Sequence, residues 1–283
     1  MKKIRYIFEA LLLLFLLGIS KVMPVNIASN FGGWVGRTIG PRLAASRKAR
    51  RNIEMVFPDK NDQDVQKILN GMWGNLGRLM MEYPHLKKIA QNKTEIIGAE
   101  NLKNADNGSI MVSAHMANWE VVPPALFLQE DFLGTPIYRA PNNPISDYLL
   151  KKMRSLDGRI NSIPKSQSGT RNIVKVLKDK GHIGMVIDQK YNEGIKSDFL
   201  GHPAMTSDVF AQLALKFNVP IIPVQIERIS DCNFRLTVHP PLDIKNKKPP
   251  EIVDDVHGIM KNWIFNTPED WLWLHNRWKN KSK

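Results

Sequence analysis

The chain has 283 residues, 43% of them hydrophobic, which is enough for one large α/β domain or two small ones. Its single cysteine, Cys232, excludes an internal disulfide bond and favours a reducing compartment. The net charge of +13 predicts an anionic partner, which could be nucleic acid, a membrane surface or an acidic substrate.

The distribution of charge favours a membrane among these partners. No acidic residue occurs between Ala10 and Ile53. Basic residues accumulate there behind an apolar segment: Arg37, Arg42, Arg47, Lys48, Arg50 and Arg51. Such a cluster suits a layer of phospholipid headgroups. Nucleic-acid binding is poorly supported, because the sequence has no zinc-finger spacing, no basic strand interleaved with aromatic residues and no recognition helix.

An apolar segment at the start of the chain predicts a membrane anchor. Together, residues 6–19 and 22–27 approach the roughly 20 apolar residues that span a bilayer, although Glu9 and Lys21 make the span marginal. A cleaved signal peptide or a buried amphipathic helix would have a similar pattern. The basic residues beyond the segment favour an anchor helix over residues 1–28, either single-pass or peripheral, with the main domain on the cytoplasmic side of the membrane.

Helical periodicity follows the anchor. In residues 43–83 apolar side chains recur at helical spacing, with Asp62 as the expected N-cap and Pro84 as the end of the run. We therefore predict a helical segment over residues 29–90 that packs on an α/β domain over residues 91–283.

The domain over residues 91–283 alternates short apolar runs with helical patterns. Strands are predicted at 95–97, 109–113, 136–138, 160–163, 183–187, 221–226 and 234–238. Helices are predicted at 118–128, 144–156, 170–180 and 207–217. This order predicts an α/β fold with a mostly parallel sheet covered by helices. The last two strands flank residues 230–233 and predict a hairpin, in whose turn Cys232 has no sign of nucleophilic chemistry.

Polar residues follow three of the predicted strands. His115, Arg139 and Asp188 each come directly after one, and ligands of such sheets bind beyond the carboxyl ends of the strands. His115 and Glu120 are five residues apart, so they can meet only if His115 lies on a loop and the chain turns back through Asn118 into a helix. An imidazole held by a carboxylate is a general base for a hydroxyl. Taken alone, these residues could also be a polar loop, a turn cap and a solvated charge.

The stretch His115-x4-Glu120, in the form Asn118-Trp119-Glu120, resembles the lysophospholipid acyltransferase superfamily, and more narrowly the late acyltransferases of bacterial lipid A biosynthesis. Ordered blocks of residues carry the same resemblance along most of the chain. These are residues 52–58 (Asn-Ile-Glu-Met-Val-Phe-Pro), 138–144 (Tyr-Arg-Ala-Pro-Asn-Asn-Pro), Arg154, 188–189 (Asp-Gln), 199–204 (Phe-Leu-Gly-His-Pro-Ala) and 271–278 (Trp-Leu-Trp-Leu-His-Asn-Arg-Trp).

The resemblance implies an α/β/α sandwich and transfer of a fatty acyl chain from an acyl carrier protein thioester to a hydroxyl of a lipid A precursor. His115 would remove the proton from that hydroxyl, and Glu120 would hold the imidazole in the right tautomer. No cofactor, metal or acyl-enzyme intermediate is expected, in keeping with the absence of a Gly-x-Ser-x-Gly motif. As substrate-binding residues it implies Asn118, Arg139, Arg154 and Asp188.

Arginine suits phosphate groups of the donor or the acceptor. Asp188 is expected to position an arginine or a sugar hydroxyl. The chain departs from the family pattern at Ala117, where glycine is frequent, and at Lys190, where many members have an acidic residue.

Two other functions remain open from the sequence. The same chemistry could act on a glycerophospholipid, a mannolipid or an ornithine lipid, with acyl-CoA as a possible donor. A basic protein that binds anionic lipid without catalysis would show the same charge, but it would tolerate replacement of His115 and Glu120.

Overall fold

The computed structural model describes residues 2–103 and 105–278. The first part of the chain is helical. Its helices are α1 (Lys2–Val22), α2 (Val25–Ile39), α3 (Ala44–Val56), α4 (Asp62–Glu82) and α5 (Leu86–Asn92). The N-cap of α4 is Asn61, whose side chain accepts a hydrogen bond from the Asp64 amide, and not the predicted Asp62. As predicted, the helix ends just before Pro84, which lies in a short 3-10 turn.

The rest of the chain alternates strands and helices. The strands are β1 (Thr94–Ile97), β2 (Ser109–Ser113), β3 (Gly134–Tyr138), β4 (Ile163–Pro164), β5 (His182–Val186), β6 (Ile195–Phe199), β7 (His202–Thr206), β8 (Ile221–Ser230) and β9 (Asn233–Val238). The helices are α6 (Val122–Glu130), α7 (Pro144–Arg154), α8 (Gln167–Lys178), α9 (Val209–Phe217) and α10 (Pro249–Asn266).

Seven of the described strands form one sheet, in the order β1-β9-β8-β2-β5-β3-β4. All neighbours in it are parallel except β8 and β9, which form the predicted antiparallel hairpin with Cys232 buried at its turn. The prediction of a mostly parallel α/β sheet is confirmed.

The two faces of the sheet are covered by different helices. On β2, Ile110 and Val112 pack with α3, α4, α8, α9 and α10, whereas Met111 between them packs with α5 and α6. Because successive side chains of a strand point to opposite faces, one five-residue strand contributes to both hydrophobic layers. The result is an α/β/α sandwich.

Three parts of the fold differ from the predictions. The strand expected at residues 160–163 is reduced to Ile163–Pro164. The β6–β7 hairpin was not predicted, because Lys196, Ser197 and Asp198 give β6 little apolar character, whereas Leu200 and Gly201 between the strands have the positive φ of a tight turn. Helix α10, which begins with Pro249 and Pro250, was also missed.

The apolar start of the chain forms two helices separated at Pro24. Among the described residues, none of the helices combines the length and the apolar content that crossing a bilayer requires. The transmembrane helix expected within residues 1–28 is thus not found among the described residues. Helix α1 has 21 residues, but Arg5, Glu9 and Lys21 interrupt its apolar sequence.

Candidate active site

His115 and Asp188 meet at the carboxyl edge of the sheet. Strands β2 and β5 are parallel neighbours with Ser113 opposite Val186, and each polar residue lies two positions past its strand. Equal steps from paired positions bring the side chains together: His115 Nδ1 lies 2.7 Å from Asp188 Oδ1. The His115 backbone N–H also donates to Asp188 Oδ2 at 3.1 Å.

A buried tryptophan completes the environment of this carboxylate. Trp271 Nε1 donates to Asp188 Oδ2 at 2.7 Å, and only 1% of Asp188 is exposed. Burial opposes ionisation, but the charge of His115 and the hydrogen bonds from His115 and Trp271 hold the pKa of Asp188 below its usual value. An ionised carboxylate only accepts hydrogen bonds, so His115 carries its proton on Nδ1 and presents a lone pair at Nε2.

That lone pair faces Gln189. The Gln189 Nε2 atom lies 3.0 Å from His115 Nε2 and 2.8 Å from Nε2 of His275. Burial, followed by the nearby charge of His115, lowers the pKa of His275 to about 4. His275 is thus neutral at pH 7 and accepts from the amide. One side-chain amide bridges two histidines.

Glu120 does not contact His115, contrary to the expectation that it holds the imidazole. Glu120 is the middle residue of a short 3-10 turn at Trp119–Val121, and its carboxylate points towards α7, where Arg154 donates to both of its oxygens at 2.6 and 2.5 Å. Trp119 lies between the two residues, with its ring 4.9 Å from that of His115 and its Nε1 3.2 Å from Glu120 Oε1. The carboxylate that orients His115 is Asp188, which corrects the role expected of both acidic residues.

The Glu120–Arg154 pair is largely buried. The side chains are 9% and 18% exposed, and Arg154 also donates to the Tyr83 hydroxyl at 2.8 Å. Burial alone lowers the pKa of Arg154, but the charge and hydrogen bonds of Glu120 raise it above its ordinary value. Of the guanidinium nitrogens, Nη1 is buried without a hydrogen-bond partner among the described residues. Glu120 and Arg154 thus form an ion pair that joins the loop to α7.

The loop between His115 and Glu120 is fixed by hydrogen bonds to Glu82 and to the backbone of Asp270. Asn118 is fully buried; its Nδ2 donates to Glu82 at 2.7 Å and its Oδ1 caps the turn by accepting from the Glu120 amide. Ala117 has φ 45°, in the left-handed region, and its amide donates to the Asp270 carbonyl at 2.9 Å. This conformation explains why glycine would suit position 117.

Arg139 is exposed beyond β3. Its charge contributes to the lowered pKa of Lys165 and of His275, in each case after burial as the largest cause. Of the predicted site residues, the structure brings His115 to Asp188 and Glu120 to Arg154, buries Asn118 within the loop and leaves Arg139 on the surface.

Sequence reasoning assigned no role to Gln189, Trp271, His275 or Tyr83. The first three lie in the Asp-Gln and Trp-rich blocks, which were visible as motifs without a geometric role. Tyr83 had no signal beyond its place at the end of a helix. What joins them to His115 is tertiary packing: the segment after α10 runs along the loop, with the Leu272 amide donating to the His115 carbonyl at 3.0 Å.

Comparison with known proteins adds the family. Residues 1–280 match the family model of bacterial lipid A biosynthesis acyltransferases. The chain is 22% identical to the lipid A biosynthesis palmitoleoyltransferase of Escherichia coli K12, over 92% of this chain and 87% of that protein. It is 25% identical to the lipid A biosynthesis lauroyltransferase of the same organism, over 82% of this chain and 78% of that protein.

A crystal structure of the 1-acyl-sn-glycerophosphate acyltransferase PlsC from Thermotoga maritima aligns with 95% of this chain and 98% of that chain. The sequence identity is 16% and the TM-score is 0.39, which is too distant a likeness to carry an argument.

Proposed function

Because the chain belongs to the bacterial lipid A biosynthesis acyltransferases, we propose that it transfers a fatty acyl chain from an acyl carrier protein thioester to a hydroxyl of a lipid A precursor of the Kdo2-lipid IVA type. The observation that carries the chemistry is the 2.7 Å contact between His115 Nδ1 and the buried Asp188 carboxylate. It leaves Nε2 as a proton acceptor at the edge of the sheet where ligands of such folds bind.

In the proposed reaction, the acceptor hydroxyl gives its proton to His115 Nε2 as its oxygen attacks the thioester carbon. The carbonyl electron pair moves to oxygen, and the new C–O bond forms. Collapse of this intermediate breaks the C–S bond, and the departing thiolate takes the proton from the imidazolium. Asp188 stabilises the imidazolium while it exists, as the aspartate of a Ser-His-Asp triad stabilises the imidazolium formed when histidine takes a hydroxyl proton.

Glu120 serves the reaction through position in this proposal. Its pairing with Arg154 on α7 and, through Trp119, its packing against His115 hold the loop that carries the base. A buried ion pair of this kind loses much when one partner is removed, because the other charge is left uncompensated. Replacement of Glu120 or Arg154 would therefore displace the loop without removing the base.

Phosphate recognition belongs to the surface around the site. Arg139 is exposed. After burial and the charge of His115, the charges of Lys48 and Arg139 also lower the pKa of His275, which lies next to His115. Guanidinium and ammonium groups there suit the phosphates of a lipid A precursor or of a carrier's prosthetic arm. Arg154, which is already paired with Glu120, supports the site from within.

Membrane attachment is proposed to be peripheral, through the apolar faces of α1 and α2. In α1 the exposed apolar side chains of Ile4, Phe8, Leu11 and Phe15 recur every three or four residues, which places them on one face of the helix. In α2 the exposed Ile27, Phe31 and Trp34 repeat that spacing. Apolar stripes beside basic residues are typical of helices that lie in the headgroup layer.

The test is acyl transfer by the purified full chain. An acyl carrier protein thioester and a tetra-acylated lipid A precursor are supplied, and mass spectrometry looks for a product heavier by one acyl chain. We expect product from the wild type and from His239→Ala, a histidine that follows β9 and stacks on Trp263 of α10, and none from His115→Ala. Separate reactions use acyl-CoA as donor or a lysoglycerophospholipid as acceptor.

If only the lysoglycerophospholipid is acylated, the acceptor is a glycerophospholipid and not a lipid A precursor. Use of acyl-CoA alone would replace the donor. Equal product from wild type and His115→Ala would contradict the catalytic assignment.

A further inference from the structure

The catalytic nitrogen of His115 is occupied by a protein group. Its Nε2 atom accepts from the Gln189 side chain at 3.0 Å, while the same amide reaches Nε2 of His275 at 2.8 Å. A primary amide has two N–H bonds, so it can donate one to each histidine. Both histidines accept, since His115 holds its proton towards Asp188 and His275 is neutral.

An acceptor hydroxyl requires the same lone pair. To give its proton to His115 Nε2 it must come within about 3 Å of that atom, where the Gln189 N–H now lies. Binding of the hydroxyl therefore frees one N–H of Gln189. The other N–H stays on His275, so the amide remains beside the attacking oxygen.

Resting on the proposed function, we infer that Gln189 is the oxyanion donor of this enzyme: its released N–H donates to the thioester oxygen as negative charge develops there. The hydroxyl proton passes to His115, the C–O bond forms, and the carbonyl π pair becomes an oxyanion that accepts from Gln189. The oxyanion then re-forms the carbonyl, the C–S bond breaks, and the thiolate takes the proton from His115. Atoms and charges balance with no further reactant.

His275 is the positioning residue for this amide. Its own backbone is fixed, because Asn52 Nδ2 donates to the carbonyl oxygens of His275 at 2.8 Å and of Trp273 at 2.9 Å. Gln189 is anchored from the other side by its neighbour Asp188, which His115 and Trp271 hold. A donor that is already fixed where negative charge develops, in a site that excludes water, stabilises that charge more strongly than it would in water.

The test compares kcat and KM of Gln189→Met and of the wild type, with donor and acceptor each varied up to saturation. Methionine keeps the length of the side chain and removes both donors. We expect kcat to fall by about 10² to 10³, the effect typical of losing one oxyanion donor, with KM changed by less than about threefold. Gln212→Met, on the exposed side of α9, is the matched control and should match the wild type. Glu is closer in shape, so Gln189→Glu carries the test if the methionine variant does not fold.

Two variants of His275 test its positioning role. His275→Asn keeps an acceptor for the amide and should retain most of kcat, whereas His275→Phe should lose at least about tenfold. A folded Gln189 variant with kcat within twofold of the wild type would overturn the inference, and so would equal loss in His275→Asn and His275→Phe. Absence of product from the wild type would instead overturn the proposed function, so the two failures are distinguishable.

Discussion

The buried carboxylate of Glu82 accepts a hydrogen bond of 2.7 Å from the side chain of Asn118, in the loop that carries His115. Glu82 is fully buried at the end of α4 and is paired with Arg228, whose side chain is 8% exposed. The same carboxylate accepts from Ser29 at 2.6 Å. The N-terminal helices, the loop and the hairpin strand β8 thus share one buried carboxylate.

Removing Glu82 should destabilise the whole protein. Glu82→Ala leaves Arg228 as a buried charge without its partner, which costs about 3–5 kcal/mol. The surface pair of Glu95 and Arg235, with side chains 58% and 41% exposed, provides the control: Glu95→Ala should cost about 0.2–1 kcal/mol. Urea unfolding followed by circular dichroism measures both. Equal losses in the two variants would contradict the role of the buried carboxylate.

Asp188→Asn should abolish most activity while preserving the fold. Asparagine keeps the size of the side chain, but its N–H can face His115 Nδ1 and force the proton onto Nε2, which removes the base. Loss of an orienting carboxylate in this way lowers kcat by about 10⁴. Asp131→Asn, at an exposed left-handed position after α6 that asparagine tolerates, should leave turnover unchanged. A folded Asp188→Asn variant within tenfold of wild-type kcat would rule out the proposed role.

Two buried histidines predict a loss of stability in mild acid. Burial lowers the pKa values of His257 and His275 from 6.5 to about 4, so below pH 6.5 the unfolded chain binds more protons than the folded protein. Stability is therefore complete above pH 6.5 and falls as the pH drops towards 4, by at most about 3 kcal/mol for each histidine.

Asp270 opposes this dependence. Burial raises its pKa from 3.8 to about 6, so over that interval the folded protein binds the extra proton and gains stability as the pH falls. The two histidines outweigh it. Urea unfolding at several pH values gives the free energy of unfolding against pH, and the slope of this plot should be smaller for His257→Asn. Asparagine does not titrate, and its side chain can still donate to the Asp198 carbonyl that His257 contacts. An unchanged slope would refute the assignment to His257.

Vesicle sedimentation tests the apolar face of α1. Phe8 and Phe15 are 68% and 64% exposed, and replacing both with Asp removes apolar area and adds charges that anionic lipid repels. We expect binding to vesicles of phosphatidylethanolamine and phosphatidylglycerol to weaken by about tenfold or more. Leu133→Asp, at an exposed leucine in the loop after α6, should bind as the wild type does. If the double variant binds equally well, the basic residues alone hold the protein on the surface.

Local patterns in the sequence predicted most of the elements, the mostly parallel sheet and the hairpin of β8 and β9, whereas the order of the strands comes from the structure. Strand β2 has the predicted bounds, Ser109–Ser113, because an apolar run between turn residues is a local property. The hairpin β6–β7 escaped prediction because its strands are polar and are set by pairing with each other. The transmembrane helix was expected because the apolar residues on both sides of Pro24 were added together. In the structure the chain forms two separate helices there.

The sequence by itself singled out His115, Glu120, Arg154 and Asp188 as candidate site residues, and the tertiary structure decided which of them touch. His115 and Glu120 are close along the chain, yet the 3-10 turn directs Glu120 to Arg154, whereas the parallel pairing of β2 and β5 brings Asp188 across 73 positions to His115. Motifs record which side chains are present at a given spacing. Strand register and the path of the C-terminal segment determine the ångström-scale contacts, and these depend on residues far apart in the chain.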